Sequence, residues 1–339
     1  MGTGLACDGF PGIDVYEDTW QFAVYNEADA YLYFYYKKGV IPSMDKYLII
    51  NADDFGSFLG ANLATFDLLE SGCITSSTIM MPCMWARQAC KWAEKHPQYA
   101  IGVHLTTTSE WGNCKWGPVA PAGTDSLRDE EGYMWNESDK FELHADLDEV
   151  ETEVRAQLAL ARKLGLDPSH WDNHMGSLYG IATGRMELLE QILDLSAQVG
   201  LPFRFPQLGV AGQEQNRTLD IAIPIETLHM LFDKVQRFIQ ARGVICPDYL
   251  VPHDYNDSNS RDYGQFREYM FSWVEQFPPG VTETYIHPSV ENGEVLAASG
   301  TGYRRVWEYN LYKDPKFQQH LKDLGIQKIS YRDLAKMRG

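Results

Sequence analysis

The chain has 339 residues, of which 44% are hydrophobic, and its formal net charge is −18. This length suits a single α/β barrel with insertions, and the apolar content is enough to build a large core. No Lys/Arg cluster interrupts the acidic composition, and no stretch approaches the roughly 18 apolar residues of a membrane span. We therefore expect neither nucleic acids nor membranes as partners.

The six cysteines are scattered without a Cys-x-x-Cys pair, which disfavours zinc fingers and thioredoxin chemistry. Such usage is typical of reduced thiols in a cytoplasmic enzyme. The first residues lack the basic start and the apolar core of a signal peptide, so we expect a cytoplasmic protein.

Residues 1–45 are rich in Tyr and Phe, and no clear period runs through them. We predict an N-terminal aromatic-rich extension that packs on the main domain. An oligomer contact and an aromatic sugar-binding surface are the alternatives. The main domain is predicted to span residues 46–339.

From residue 46 onward, strand-like and helix-like segments alternate, which predicts β–α units and a parallel sheet. Eight strand-like segments favour a closed or nearly closed barrel over an open sheet. They lie near 47–51, 74–81, 99–105, 169–173, 202–206, 247–251, 281–286 and 326–330.

The clearest helix is predicted at 147–164. Asp146 can cap it, a glutamate follows three residues on, one face is apolar, and Gly165 ends it. Further helices are predicted near 85–96 and 184–199.

Residues 106–146 form a long predicted loop between the third and fourth strands. A loop of this length is usually functional or disordered, and its three tryptophans argue against disorder. Because aromatic faces stack on sugar rings, Trp111 and Trp116 are candidates for substrate binding. A self-packed surface loop is the alternative. A polar loop at 252–263 is expected to border the same mouth.

Two adjacent carboxylates, Asp53 and Asp54, follow the apolar run at 48–50. Like charges side by side are costly unless a cation or a proton stands between them. Strand ends are where α/β barrels place catalytic groups, so a divalent metal ion is the expected occupant. One Asp would bind the ion, and the other would act on a metal-bound water.

Four histidines lie at or next to the ends of predicted strands, namely His104, His170, His174 and His287. Several imidazoles that converge with the Asp pair on one barrel face indicate a catalytic metal site. Two imidazoles, one carboxylate and open positions suit Zn²⁺ or a related divalent ion.

The spacing of His170 and His174 would put both rings on one face of a helix, but a strand end and a turn are predicted there. We therefore favour His174 as the ligand and keep His170 as a second candidate. Asp172 would orient a ligand imidazole. Asp54 is the expected carboxylate ligand, and Asp53 is the expected general base.

His287 is a candidate proton donor to a leaving group, because imidazole titrates near neutral pH. Arg204 lies among apolar neighbours at the end of the fifth predicted strand, where a charge needs a partner. It would orient Asp53 or bind substrate, and a structural ion pair is the alternative.

Together these residues resemble the YdjC family, also called ChbG/HpnK-type carbohydrate deacetylases. The resemblance covers roughly residues 46–335. It rests on Asn51–Gly56 (Asn-Ala-Asp-Asp-Phe-Gly), 72–78, 101–105, Ser169–Gly176 (Ser-His-Trp-Asp-Asn-His-Met-Gly) and Ile286–Pro288. It implies a distorted TIM-like barrel of the glycoside hydrolase/deacetylase type and hydrolysis of an N-acetyl group on a sugar.

The resemblance also implies one divalent metal ion, Zn²⁺ or Mg²⁺, bound by Asp54, His104 and His174. Asp53 would then be the base and His287 the acid. An acetylated mono- or oligosaccharide is the implied substrate, and a homodimer is the implied assembly.

The chain departs from the family pattern at Asn173, where a Ser is expected, and at 175–176, where Met-Gly replaces further histidines. Loops set specificity in barrels, so these motifs do not assign the sugar. The alternatives are a metal-dependent hydrolase of another bond, such as an O-acetyl ester, another amide or a glycosidic bond, and a non-catalytic carbohydrate-binding protein.

Overall fold

The N-terminal part of the chain contains a small sheet of its own. The computed structural model describes residues 20–27, 30–37, 45–207 and 225–339. Strands β1 (Trp20–Glu27) and β2 (Ala30–Lys37) pair antiparallel with each other. The aromatic side chains of the predicted extension lie outside the described part of the chain, so its packing on the main domain stays a prediction.

The main domain is built on a parallel sheet of seven strands. Its order is β6-β5-β4-β3-β8-β7, with β9 beside the first half of β3. These strands confirm seven of the eight predicted positions. They are β3 (Lys46–Phe55), β4 (Ser76–Ile79), β5 (Ala100–Leu105), β6 (Trp171–Asn173), β7 (Tyr249–Leu250), β8 (Gly280–Ile286) and β9 (Ile326–Lys328).

The strand predicted at 202–206 is reduced to one bridge, between Phe203 and Trp171. Prolines flank the segment, and a residue without an N–H cannot continue a sheet ladder. The Arg204 N–H donates to the Trp171 carbonyl at 3.2 Å, and the Phe203 N–H donates to Ile245 at 2.9 Å. The segment therefore connects the β6 edge to the chain that enters β7, and the sheet curls into a distorted TIM-like barrel.

Helices follow most of the strands and cover the sheet. In the described part of the chain, none of them combines the length and apolarity that a membrane span needs. They are α1 (Leu59–Glu70), α2 (Ala86–Lys95), α3 (Ser138–His144), α4 (Leu147–Lys163), α5 (Glu187–Val199), α6 (Ile225–Arg242), α7 (Tyr263–Val274), α8 (Gly293–Ala298), α9 (Gly302–Lys313), α10 (Pro315–Asp323) and α11 (Tyr331–Arg338).

The structure confirms the predicted start of α4 but differs from the prediction in the loop that precedes it. The predicted start of α4 is confirmed, because the Asp146 side chain accepts hydrogen bonds from two N–H groups of its first turn. The segment at 106–146 is predicted as a loop without regular structure, but it contains α3 and a short 3₁₀ turn at Asp125–Leu127. This loop runs from the carboxyl end of β5 and so borders the site described next.

Candidate active site

A local break in β3 brings two neighbouring carboxylates to one place. Successive side chains of a regular strand point to opposite faces of the sheet. Asp54, however, has a left-handed φ of 57°, and the pairing with β4 shifts between Ala52 and Phe55. Such a bulge re-aims a side chain. As a result, Asp53 and Asp54 both contribute ligand-type oxygens close to His104.

Three buried atoms form a compact triangle that fits a metal ion. Asp54 Oδ1 lies 3.4 Å from His104 Nε2 and 3.4 Å from His174 Nδ1, and the two nitrogens are 3.3 Å apart. A tetrahedral ion with ligand distances of about 2.1 Å holds its ligands roughly 3.4 Å apart. Asp54 Oδ1 has no hydrogen-bond partner among the described residues, which is costly for a buried carboxylate unless a cation meets it.

Asp172 orients the first imidazole of this triangle. His104 Nδ1 lies 2.6 Å from Asp172 Oδ1, and because a carboxylate only accepts, Nδ1 carries the proton and Nε2 faces the triangle. Burial lowers the pKa of His104, but the Asp172 carboxylate outweighs burial and raises it to about 10. The other oxygen of Asp172 accepts from Thr78 Oγ1 at 2.9 Å.

Glu110 orients the second imidazole, a role that no motif in the sequence indicates. Its Oε2 lies 2.9 Å from His174 Nε2, which leaves Nδ1 of that ring for the triangle. Burial lowers the pKa of His174, and the charges of Glu110 and Asp54 raise it to about 9. Glu110 follows β5 in a stretch of Thr and Ser, where nothing in the local sequence distinguishes it from a surface acid.

Arg204 binds Asp53 in a two-pronged ion pair. Nη1 and Nη2 lie 2.6 Å and 2.7 Å from the two Asp53 oxygens. The same guanidinium is 2.8 Å from Asp172 Oδ2, and its Nε donates to Glu283 Oε1 at 2.8 Å. Burial raises the pKa of Asp53, and Arg204 outweighs it and lowers that pKa to about 2. This geometry agrees both with orienting Asp53 and with the structural ion pair that was the alternative.

His287 reaches the same region from the end of β8. The residue is half-buried, and its backbone N–H donates to Glu308 Oε2 at 2.6 Å. Burial lowers the pKa of His287, against the opposing effect of the Asp54 charge. The role of His287 as a proton donor stays a prediction.

Arg305 is a second site residue that no sequence motif predicts. Its Nη2 donates to Asp54 Oδ2 at 2.6 Å, so each oxygen of Asp54 has a different environment. Burial raises the pKa of Asp54, but Arg305 and the two imidazoles hold it well below the usual range. Arg305 lies on α9, 251 positions from its partner, and no local motif connects the two.

His170, the second candidate ligand, is fully occupied elsewhere. Its Nε2 donates to Asn51 Oδ1 at 3.2 Å, and its Nδ1 accepts from Ser169 Oγ at 2.8 Å. The ring stacks on Tyr331 with centroids 3.8 Å apart, and burial holds its pKa well below the usual value. His170 therefore supports Asn51, whose amide donates to Asp53 Oδ1 at 2.8 Å, and it does not join the triangle.

Trp111 and Trp116 pack inside the protein instead of presenting their faces to solvent. They are 8% and 6% exposed, respectively. Trp111 stacks on Phe58 with centroids 4.6 Å apart and meets Trp116 edge-on at 5.1 Å. Trp116 in turn meets the His174 ring at 6.2 Å. This arrangement does not support sugar stacking by these two rings, and it matches the self-packed alternative for this part of the loop.

The fold and sequence have counterparts among known proteins. A solved structure of a candidate cellobiose-phosphate cleavage protein from Enterococcus faecalis V583 matches with a TM-score of 0.66 and 26% identity, over 86% of this chain and 99% of that one. A carbohydrate deacetylase of Thermoanaerobacter pseudethanolicus is 25% identical over 84% of this chain and 98% of its own length. A chitooligosaccharide deacetylase of Yersinia enterocolitica is 26% identical over 86% and 100%, respectively.

A family model described as YdjC-like protein matches residues 47–323. The matched region runs from β3 into the end of α10 and includes every residue of the triangle. Because it covers more than half of the chain, it confirms the resemblance seen in the sequence motifs, and the chain belongs to the YdjC-like protein family.

Proposed function

We propose that this protein is a metal-dependent carbohydrate deacetylase that hydrolyses an N-acetyl group on a mono- or oligosaccharide. The observation that carries the proposal is the buried triangle of Asp54, His104 and His174, with the ionised Asp53 beside it. The names of the relatives, carbohydrate deacetylase and chitooligosaccharide deacetylase, support the substrate class.

Asp54, His104 and His174 would hold one divalent ion. Two imidazoles and one carboxylate suit Zn²⁺, and Mg²⁺ is the alternative. When bound there, the ion supplies Lewis acidity to the attack of water on an acyl carbonyl.

Asp53 would accept the proton of the attacking water. Its pairing with Arg204 keeps it ionised at neutral pH and fixes its orientation, as a general base requires. As the C–N bond breaks, His287 would donate a proton to the departing amine, and acetate and the free amino sugar would be the products. A homodimer and a cytoplasmic location, both expected above, stay predictions.

Acetate release from a panel of N-acetylated mono- and oligosaccharides tests the activity. The protein is stripped of metal with a chelator and then given Zn²⁺, Mg²⁺, Mn²⁺ or Co²⁺. We expect acetate only with metal restored. Release of a sugar without acetate, or no product from any sugar by metal-loaded protein, would contradict the proposal.

Asp53→Asn tests the base. We expect it to retain metal and fold but to lose between about a hundredfold and ten-thousandfold in kcat, because the carboxylate that takes the proton is gone. Asp67→Asn is the matched control, since Asp67 is a surface acid paired with Lys313 on the outside of the barrel. Wild-type turnover by Asp53→Asn would show that another group is the base.

A further inference from the structure

Arg305 lies beside the triangle of Asp54, His104 and His174 but contributes no atom to it. The side chain extends from α9, is 14% exposed, and lies with Cζ 5.3 Å from the centre of the Trp111 ring. One prong of its guanidinium, Nη2, is bonded to Asp54 Oδ2. The carboxylate of Asp54 therefore separates the guanidinium from the two imidazoles.

The other prong of this guanidinium has no hydrogen-bond acceptor. Nη1 is buried and without a partner among the described residues. A buried hydrogen-bond donor without an acceptor costs about 1–3 kcal/mol of stability, and more when the donor is charged. The Trp111 ring face is a weak acceptor compared with an oxygen. An oxygen atom supplied by a bound molecule would complete the hydrogen bonding of Nη1.

The charge of Arg305 works against a cation in the triangle. A guanidinium bonded to a ligand carboxylate withdraws negative charge from it and repels a second cation nearby. Arg305 therefore does not serve to strengthen ion binding. A positive group beside a metal site instead favours an anion, or an oxygen that becomes anionic during the reaction.

We propose that Arg305 is a catalytic residue whose Nη1 donates a hydrogen bond to the acyl oxygen of the substrate. This inference rests on the proposed function. As water attacks the acyl carbon, the C=O π electrons move onto the oxygen, and Nη1 stabilises that charge. When the C–N bond breaks, those electrons re-form the C=O bond of acetate. Asp53 has taken the proton of the water, and the amine leaves with the proton of His287.

Kinetics of Arg305→Gln and Arg305→Lys with Zn²⁺-loaded protein test this role, on the sugar that the wild type deacetylates. Removing one such donor lowers kcat by about a hundredfold to a thousandfold in other enzymes. We expect that loss in Arg305→Gln, with KM changed by less than about threefold. Arg305→Lys should lose about tenfold or more, because one ammonium does not reproduce the two prongs of the guanidinium.

Two binding measurements separate this role from a structural one. The first is the affinity for an N-acetylglucosamine analogue in which a methylphosphonamidate, with its tetrahedral anionic oxygens, replaces the acetamide. We expect Arg305→Gln to weaken that affinity by the same factor as kcat. The second is the Zn²⁺ dissociation constant, which we expect to be unchanged or lower, because a repelling charge is removed.

Arg267→Gln is the matched control. Arg267 makes the same two kinds of contact as Arg305, an ion pair with Asp314 at 2.9 Å and a ring, Phe271, at 4.5 Å, but on α7 outside the site. It should keep wild-type kcat and analogue affinity.

Wild-type kcat in Arg305→Gln, or a loss that saturating Zn²⁺ fully restores, would overturn the inference while the deacetylase stands. A wild-type protein that releases no acetate would instead remove the proposed function, and the inference with it.

Discussion

Each imidazole of the Asp54–His104–His174 triangle is hydrogen-bonded to a carboxylate on its far side. Asp172 lies behind His104, and Glu110 lies behind His174. The partner acid fixes which ring nitrogen carries the proton and therefore which nitrogen would face a metal ion. Glu110 is the more accessible of the two acids, with a side chain 21% exposed, whereas Asp172 is fully buried and also binds Arg204.

Glu110→Ala is expected to weaken Zn²⁺ binding by about tenfold to a hundredfold, the usual effect of removing such a partner. The His174 ring loses the acceptor that orients it, while the three ligands themselves remain. Competition with a chromogenic chelator measures the dissociation constant. Glu151→Ala, which removes an acid paired with Arg155 on the exposed face of α4, is the control. Equal Zn²⁺ affinity in the two variants would contradict this role of Glu110.

At the scale of the elements, the site depends on the close approach of β5 and β6. Gly102 on β5 has no side chain, and a Cβ there would lie 2.4 Å from the His170 carbonyl oxygen and 2.8 Å from His170 Nδ1. His104 and Asp172, which are paired across the same two strands, lie two residues further along each. Spacing between these strands therefore decides whether Asp172 reaches His104.

Gly102→Ala is expected to lower the free energy of unfolding by about 1–3 kcal/mol, the usual effect of overpacking a tight interior. The added methyl must push β6 away or displace the His170 ring from Tyr331. Urea denaturation gives the change. Gly112→Ala is the control, because a Cβ there meets no atom within 4 Å, and its change should stay within about 0.5 kcal/mol. A Gly102→Ala protein as stable as this control would disprove the packing argument.

At the scale of the whole molecule, the site exists only when the barrel is assembled. Its groups come from β3, the ends of β5, β6 and β8, the segment at 202–206 and helix α9. The unfolded chain therefore cannot present the triangle. A ligand that binds only the folded state stabilises it in proportion to the logarithm of its concentration.

Zn²⁺ is accordingly expected to raise the free energy of unfolding by about 2.7 kcal/mol at a free concentration of about one hundred times its dissociation constant. Thermal melting with and without a chelator measures the shift. His104→Asn should abolish the shift. The control His320→Asn should keep it, since His320 contacts Phe271 and Glu275 away from the site. An identical shift in both variants would mean that the ion binds elsewhere.

The sequence by itself determined the alternation of strands and helices, the Asp pair after β3, and the histidines at strand ends. These are local features, because neighbouring residues determine hydrophobic runs and the ends of strands. Parallel strands end on one side of a barrel, so convergence of the Asp pair with strand-end histidines could be predicted. The resemblance to the YdjC family then singled out Asp54, His104 and His174. The strand prediction failed at 202–206, where the prolines reduce the predicted strand to a single bridge.

Only the tertiary structure decided which residues surround these groups. Arg305 meets Asp54 across 251 positions, and Arg204 meets Asp53 across 151. Glu110 reaches His174 from a loop whose path no periodicity predicts. Contacts of this kind depend on how the barrel brings distant segments together and on which side chains then lie within hydrogen-bond distance of a buried charge. For that reason the triangle and Asp172 could be predicted from the sequence, but Glu110 and the unpaired Nη1 of Arg305 could not.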